Sequence, residues 1–149
     1  AMQGLAGDEL QLLLTTGGRD PALLGDAIPA NAIVIDHVPF ELALPRAAAL
    51  VTNGGYGSVQ SALAHGVPLV VAGTGEDKAE VATRVAWSGA GINLHSNEPT
   101  AAMVATAVRK VVSEPRYRAR ARLLAEEMAA LDGRAAIATS VAGLLGGRP

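Results

Sequence analysis

The sequence predicts an α/β fold in which helices cover a doubly wound parallel sheet. Short apolar runs that suit strands alternate with longer segments of helical periodicity. The runs are apolar along most of their length, which is typical of parallel strands with both faces covered by helices. The 149 residues suffice for one such domain, so we expect a single domain over residues 1–149.

Five short apolar runs predict the strands. They cover residues 10–15, 32–35, 50–52, 69–72 and 91–94. The first, third and fourth of these runs end in the glycine-rich turns TGG, NGG and GTG. Because the carboxyl ends of parallel strands meet at one edge of a sheet, we expect these turns to lie together. That edge is where ligands bind in such folds.

The segments between and after the strands predict six helices. They cover residues 41–48, 58–65, 78–88, 100–112, 116–131 and 134–145. Ser58 and Thr100 suit N-cap positions, and Gly66 and Gly89 suit the position that follows a helix. Pro115 marks the boundary between the fourth and fifth helices.

Composition argues against several classes of protein. Aromatic residues make up only 3% of the chain, so the core must be built from aliphatic side chains. A net charge of −2 without a basic stripe argues against nucleic-acid binding. There is no cysteine, and the histidines lack the spacing of a helical zinc pair, so we expect no metal. With no recognisable signal peptide and no run that could cross a bilayer, we expect a cytoplasmic protein without a transmembrane segment.

The strongest candidate for a ligand site is residues 53–58 (NGGYGS), between the third strand and the second helix. Three glycines allow the backbone to approach a ligand closely. The start of the helix offers unpaired N–H groups and a positive dipole end, which suit a phosphate. Ser58 would cap the helix or donate to a phosphate oxygen. The alternative is a tight turn without a ligand, and the spacing matches neither a Walker loop nor the GxGxxG pattern.

Two further segments carry weaker signals. Residues 75–78 (GEDK) place two carboxylates after the fourth strand, where they could accept hydrogen bonds from sugar hydroxyls. The alternative there is an acidic first helical turn, which the helix dipole favours. In residues 36–40 (DHVPF) the ring of His37 or Phe40 could stack on a base, or the segment could simply lie at the surface.

Taken together, these segments resemble the C-terminal half of GT-B fold glycosyltransferases, in the UDP-glycosyltransferase-like group of bacterial natural-product and glycolipid enzymes. That group has a His-Gly-Gly-x-Gly-Thr/Ser loop, then Gly-Val-Pro, then an Asp-Gln pair nine residues past the proline. Here residues 53–58 are followed by GVP at 66–68 and by Asp77 nine residues after Pro68. Residues 82–94 are similar to the group's Ala-x-Arg-Val-x-x-x-Gly-Ala-Gly stretch. The resemblance implies a Rossmann-like domain.

The resemblance also implies how a nucleotide-sugar donor is held. The phosphates would lie on two loops, whose residues are Thr16, Gly17, Gly18, Gly54, Gly55, Gly57 and Ser58. Asp77 and Lys78 would contact the donor sugar. The ring of His37 would stack on the uracil, and the Val38 backbone would read the edge of the base. The donor would be a UDP- or TDP-sugar, bound without a metal or another cofactor.

Four positions depart from the pattern of the group. Asn53 stands where a histidine is usual, so a neutral donor replaces a cationic contact to phosphate. Ser61 stands at the position of the glutamate that usually holds the ribose. Phe40 stands where glutamine is usual, and Lys78 stands at the second position of the Asp-Gln pair.

The resemblance implies a hexosyltransferase that acts on a small-molecule or lipid acceptor. In this group the catalytic base and the acceptor pocket lie in an N-terminal domain, which would be supplied in cis or in trans. We therefore expect no catalytic residue in this chain and no transfer by the chain alone. An interdomain face left open could also pair two copies as a homodimer.

Two alternatives use the same fold. One is a GT-B-type sugar-nucleotide epimerase, in which Glu76 and Asp77 would be the local acid and base. The other is a non-catalytic binding or interaction module that has lost its ligand.

Overall fold

A computed structural model describes residues 2–24 and 28–146 of the chain. Its five strands are β1 (Leu12–Thr15), β2 (Ala32–Ile35), β3 (Leu50–Thr52), β4 (Leu69–Val71) and β5 (Gly91–Asn93). All five expected strands are confirmed, although three of them are shorter than the apolar runs that predict them.

The helices are α1 (Phe40–Ala43), α2 (Tyr56–Ala64), α3 (Lys78–Ser88), α4 (Ala101–Ser113), α5 (Pro115–Ala129) and α6 (Gly133–Gly146). Short 3-10 turns lie at Met2–Leu5, Pro21–Leu24 and Leu44–Arg46. The expected helix 41–48 is wrong in its second half, because Pro45 lacks the N–H that an α-helix needs there. The chain instead makes one α turn and then a 3-10 turn.

The strands pair in parallel, but in two separate ladders. β1 pairs with β2, with Leu12 opposite Ala32. β3, β4 and β5 form a second ladder, in which β4 is central. Within residues 2–24 and 28–146 no hydrogen-bonded ladder joins the two-stranded sheet to the three-stranded sheet. The expected parallel α/β fold is confirmed, in this divided form.

The core lies on the two faces of β4. Successive side chains of a strand point to opposite faces. Leu69 and Val71 therefore pack in one cluster with α2 and α3, which contribute Val59 and Val85 among others. Val70 points to the other face, where α4 packs through its buried apolar stripe. The expectation of an aliphatic core is confirmed, with Tyr117 the one aromatic residue among the buried residues that the structure describes.

The two-stranded sheet is not covered on both faces. Leu13 and Ile33 lie opposite each other, and they are 49% and 51% exposed. The expectation that both faces are buried is therefore wrong for this sheet. α6 also exposes apolar side chains, including Ile137, Leu144 and Leu145. In the part of the chain that the structure describes, no helix is both long enough and apolar enough to span a bilayer.

Most of the expected helix boundaries are confirmed. Thr100 caps α4, where its Oγ1 accepts from the Met103 N–H at 3.2 Å. Gly89 and Gly66 follow α3 and α2 with positive φ angles of 78° and 64°. Pro115 is the first residue of α5. These boundaries fix where the loops at the carboxyl edge begin.

Candidate functional site

The loop between β3 and α2 presents the start of a helix to solvent. Gly55 is the N-cap of α2 and offers no side-chain cap. Ser58 lies inside the first turn of α2, so its expected role as the N-cap is wrong. Within the described residues the amides of Tyr56, Gly57 and Ser58 have no hydrogen-bond partner. These free N–H groups are what an anion would meet at this end of the helix.

A chain of hydrogen bonds fixes the shape of this loop. The Gly54 N–H donates to Thr52 Oγ1 at 3.3 Å, and the Ser58 hydroxyl donates to the Gly55 carbonyl at 2.8 Å. Thr52 Oγ1 lies 2.8 Å from Ser58 Oγ and is the donor of that bond, because the Ser58 proton is already used. The hydroxyl of Ser58 thus holds the loop. Thr52 was not predicted from the sequence, although a threonine at the carboxyl end of a strand before a glycine loop is a usable signal.

Two glycines at this edge are required by packing. Gly54 has a φ of +87°, and a Cβ placed on it would lie 2.7 Å from Val71 Cγ1. A Cβ on Gly73 would collide with the carbonyl oxygen of Asn53. The loops that follow β3 and β4 therefore meet backbone to backbone. This contact brings residues 53–58 and 73–78 together, as expected.

Gly57 has no such reason to be glycine. A Cβ on it would have no heavy atom within 4 Å, and the residue lies in the first turn of α2. Glycine in a helix costs about 0.5–1 kcal/mol relative to alanine. The residue therefore costs stability that packing does not require, which favours a role in the approach of a ligand.

The loop after β4 is held from the neighbouring strand. The Thr74 N–H donates to Asn97 Oδ1 at 2.7 Å, across from the segment that follows β5. Glu76 adopts a positive φ of 55°, and its carboxylate is paired with the Lys78 ammonium. The hydrogen bond from Lys78 lowers the pKa of Glu76, and the same contact raises the pKa of Lys78. Asp77 is the exposed N-cap residue of α3. Asn97 lies outside every motif, so no sequence signal pointed to it.

The loops after β1 and β2 form a second pair. The Gly17 N–H donates to the Asp36 carbonyl at 3.0 Å, and the Thr16 hydroxyl donates to Asp36 Oδ1 at 3.3 Å. The Gly18 N–H donates to the same carboxylate oxygen. Gly17 and Gly18 both have positive φ, at 62° and 84°. Asp36 therefore shapes this loop, a role that the analysis of the sequence missed.

The segment that follows Asp36 is anchored by its last residue. Phe40 is half-buried and packs against the same core cluster as α2, so its ring serves packing instead of stacking on a base. His37 is exposed, and Val38 is half-buried. Within the described residues no hydrogen bond joins residues 16–18 to residues 53–58. The structure thus brings the four expected segments together as two pairs.

A surface groove lies away from these loops. It has a volume of about 420 Å³ and is lined by Ala48, Val111, Val112, Pro115, Arg118, Ala119 and Arg122. Ala48 precedes β3, so this groove lies at the amino ends of the strands. The guanidinium of Arg118 is occupied there by the carbonyls of Ala47, Ala48 and Gly66. Neither this groove nor the one lined by Asp8 and Arg109 includes residues of the candidate site at the carboxyl edge.

Comparison with known proteins identifies the family. Residues 11–144 match the family described as erythromycin biosynthesis protein CIII-like, C-terminal domain. The chain belongs to this family. The match covers every strand and nearly all of the helices described above, so the resemblance and the fold expected from the sequence are both confirmed.

Similar proteins include glycosyltransferases of about three times the length. The chain is 47% identical to 4'-demethylrebeccamycin synthase of Lentzea aerocolonigenes, over 89% of this chain and 31% of that protein. The calicheamicin glycosyltransferase CalG4 superposes with a TM-score of 0.84 at 31% identity, over 98% of this chain and 37% of its own. The glycosyltransferase VinC, solved in complex with dTDP, superposes with a TM-score of 0.80 at 29% identity, over 87% of this chain and 33% of its own.

Proposed function

We propose that this chain is the donor-binding domain of a hexosyltransferase and that it holds the diphosphate of a UDP- or TDP-sugar. One observation carries the proposal. In a member of the CIII-like family, the start of α2 presents three free amides beside Gly57, a glycine that packing does not require. The dTDP complex of VinC supports the choice of a nucleoside diphosphate.

The proposal gives each segment of the carboxyl edge a task. The diphosphate lies on the amides of α2, next to Gly54, Gly55 and Gly57, with Asn53 and Ser58 shaping the loop. Thr16 and Gly17 border the phosphates from the other pair of loops. The ring of His37 and the Val38 backbone receive the base. Asp77 and Lys78, in the loop after β4, contact the donor sugar, and no cofactor is proposed.

Transfer itself requires a further domain. The chain spans about a third of the length of the relatives it matches. We propose that an N-terminal domain, in cis or in trans, supplies the base and the pocket for a small-molecule or lipid acceptor. The chain alone then transfers no sugar, and the proposed location is the cytoplasm. Pairing of two copies through the open interdomain face stays a prediction.

No observation favours an epimerase. Its acid and base would be Glu76 and Asp77, but the Glu76 carboxylate is engaged by Lys78. That contact lowers the pKa of Glu76, away from the range that suits a general acid at neutral pH.

Calorimetric titration of the chain with UDP, TDP, GDP and ADP tests the proposal. The Gly55→Asp variant places a carboxylate in the loop, where a Cβ would lie no closer than 3.6 Å to its neighbours. Thr106→Asp adds the same charge on the exposed face of α4 and is the matched control. We expect saturable binding of at least one diphosphate, loss of binding in Gly55→Asp and retention in Thr106→Asp. Absence of binding would contradict the proposal and favour a module without a ligand. Binding that Gly55→Asp leaves unchanged would contradict the placement of the diphosphate on this loop.

A further inference from the structure

The glycine loop has no cation of its own, yet a lysine packs directly against it. Residues 53–58 contain no lysine, arginine or histidine. A Cβ placed on Gly54 would lie 3.7 Å from Lys78 Cβ, and a Cβ placed on Gly73 would lie 3.4 Å from Lys78 Cδ. The aliphatic part of Lys78 therefore lies across the contact between the loops that follow β3 and β4.

The ammonium of Lys78 is kept beside these loops. Its partner is the carboxylate of Glu76, two residues earlier in the same turn. The Lys78 side chain is 24% exposed, whereas that of Glu76 is 79% exposed, so the lysine is the sheltered member of the pair. An ammonium has three N–H donors, and Glu76 occupies one of them. The other two are available to a ligand.

The first residue of the loop does not supply the missing charge. Asn53 is neutral, and its Oδ1 accepts from the Gly55 N–H at 3.2 Å, which turns the side chain back onto the loop. The free amides at the start of α2 carry only partial charges. Within the described residues, the close contacts of Gly54 and Gly73 bring a full positive charge against this loop, that of Lys78.

We propose that Lys78 binds the terminal phosphate of the nucleoside diphosphate. On binding, the ammonium donates from an N–H group that Glu76 does not occupy to a phosphate oxygen, while the aliphatic part of the side chain stays packed on Gly73. A lysine acts on phosphate as a compact point charge, which suits this task. The inference rests on the proposed function and changes one part of it, because Lys78 then serves the phosphate and Asp77 alone is left for the sugar.

The test compares ligands that differ in phosphate number. A nucleoside diphosphate, the corresponding monophosphate and the nucleoside are titrated into the wild-type chain and into Lys78→Gln. Loss of one charge-assisted hydrogen bond predicts a drop of about tenfold or more in diphosphate affinity. Monophosphate affinity should fall less, and nucleoside affinity should not change. Arg84→Gln removes an exposed cation that is paired with Glu80 on the same helix, and it should leave all three affinities unchanged.

A second variant separates charge from packing. Asn53→His with Lys78→Gln places a cationic ring at the first residue of the loop, and at about pH 6 a good part of it is protonated. We expect this double variant to recover much of the lost diphosphate affinity. Equal diphosphate affinity in wild type and Lys78→Gln would overturn the role of Lys78 alone. Equal losses for all three ligands would overturn it too, because packing would then be the cause. A wild-type chain that binds no diphosphate would overturn the proposed function itself.

Discussion

The two sheets differ in how much of their apolar surface the chain covers. Every residue of β4 is buried, because α2 and α3 lie on one face of it and α4 lies on the other. In β1 half-buried residues alternate with exposed ones, and Leu13 is 49% exposed. The composition of the two strands is similar. Burial therefore depends on which helices lie over a strand, and the candidate phosphate loop belongs to the better covered sheet.

The largest difference in stability should come from replacing one leucine in each sheet by alanine. Leu69→Ala removes a side chain that is 0% exposed and should cost about 2–5 kcal/mol of unfolding free energy. Leu13→Ala should cost about 1 kcal/mol or less, because half of that side chain is already in water. Urea unfolding of both variants measures the difference. Equal losses would contradict the contrast between the sheets.

The glycines after β3 and β1 give the next largest contrast. Gly54→Ala should cost about 2–4 kcal/mol, because it adds strain at a positive φ to a collision with Val71. Gly17→Ala meets only the strain, since a Cβ there has no neighbour within 4 Å, and it should cost about 1–2 kcal/mol. Thermal unfolding separates the two. A Gly17 variant as unstable as the Gly54 variant would show that the loop after β1 is packed as closely.

Arg118 should matter to the three-stranded sheet, although it forms no ion pair in the described chain. Its guanidinium donates to the carbonyls of Ala47 and Ala48 before β3 and of Gly66 before β4, and desolvation lowers its pKa. Arg118→Met keeps much of the aliphatic length and loses these bonds, so we expect a loss of about 1–3 kcal/mol. Arg84→Met breaks an exposed i,i+4 pair with Glu80 and should cost at most about 0.5 kcal/mol. Chemical denaturation that ranks the two variants the other way would refute this assignment.

Gly57→Ala should separate stability from binding. The position is helical and has room for a methyl group, so alanine should raise stability by about 0.5–1 kcal/mol. The same methyl group would stand where we propose that the diphosphate approaches, so affinity for the nucleotide should fall. Thermal unfolding measures the change in stability, and calorimetric titration measures the change in nucleotide affinity. A more stable variant with unchanged affinity would place the ligand elsewhere.

The smallest expected effect is on stability at acidic pH. The hydrogen bond from Arg109 lowers the pKa of Asp8 below its usual 3.8, and this pair ties the N-terminal segment to α4. A lowered folded pKa means that the contribution to stability is present above about pH 4 and is lost as the pH falls through the folded pKa. Asp8→Asn should therefore flatten the acid limb of a stability profile measured from about pH 5 to about pH 2. An unchanged limb would show that other carboxylates dominate it.

Local patterns predicted which elements form. The sequence predicts helix 78–88, and α3 covers Lys78–Ser88. Glycine and proline boundaries such as Gly89 and Pro115 were readable because each has a backbone requirement that few other residues meet. Burial could not be predicted in this way. The apolar runs of β1 and β4 look alike, and only the placement of α4 and α3 distinguishes them.

The glycines of the candidate site could be predicted from the sequence, but the residues that hold its loops by hydrogen bonds could not. Residues 53–58 carry a recognisable pattern, whereas Asp36 and Asn97 act through contacts with residues 18 to 23 positions away along the chain. Ser58 was misplaced because a serine near a helix start suits both the N-cap and the first turn. In the structure α2 begins at Tyr56, and Ser58 in its first turn bonds to Thr52.

The most direct test of the central claim is a two-dimensional amide NMR titration of the chain with UDP and TDP. We predict saturable shifts of the amides of Tyr56, Gly57 and Ser58, with smaller shifts at residues 16–18 and 77–78. We predict no shifts around the groove lined by Ala48 and Arg118. Shifts concentrated in that groove, or none at the start of α2 at millimolar nucleotide, would contradict the assignment of the phosphate loop.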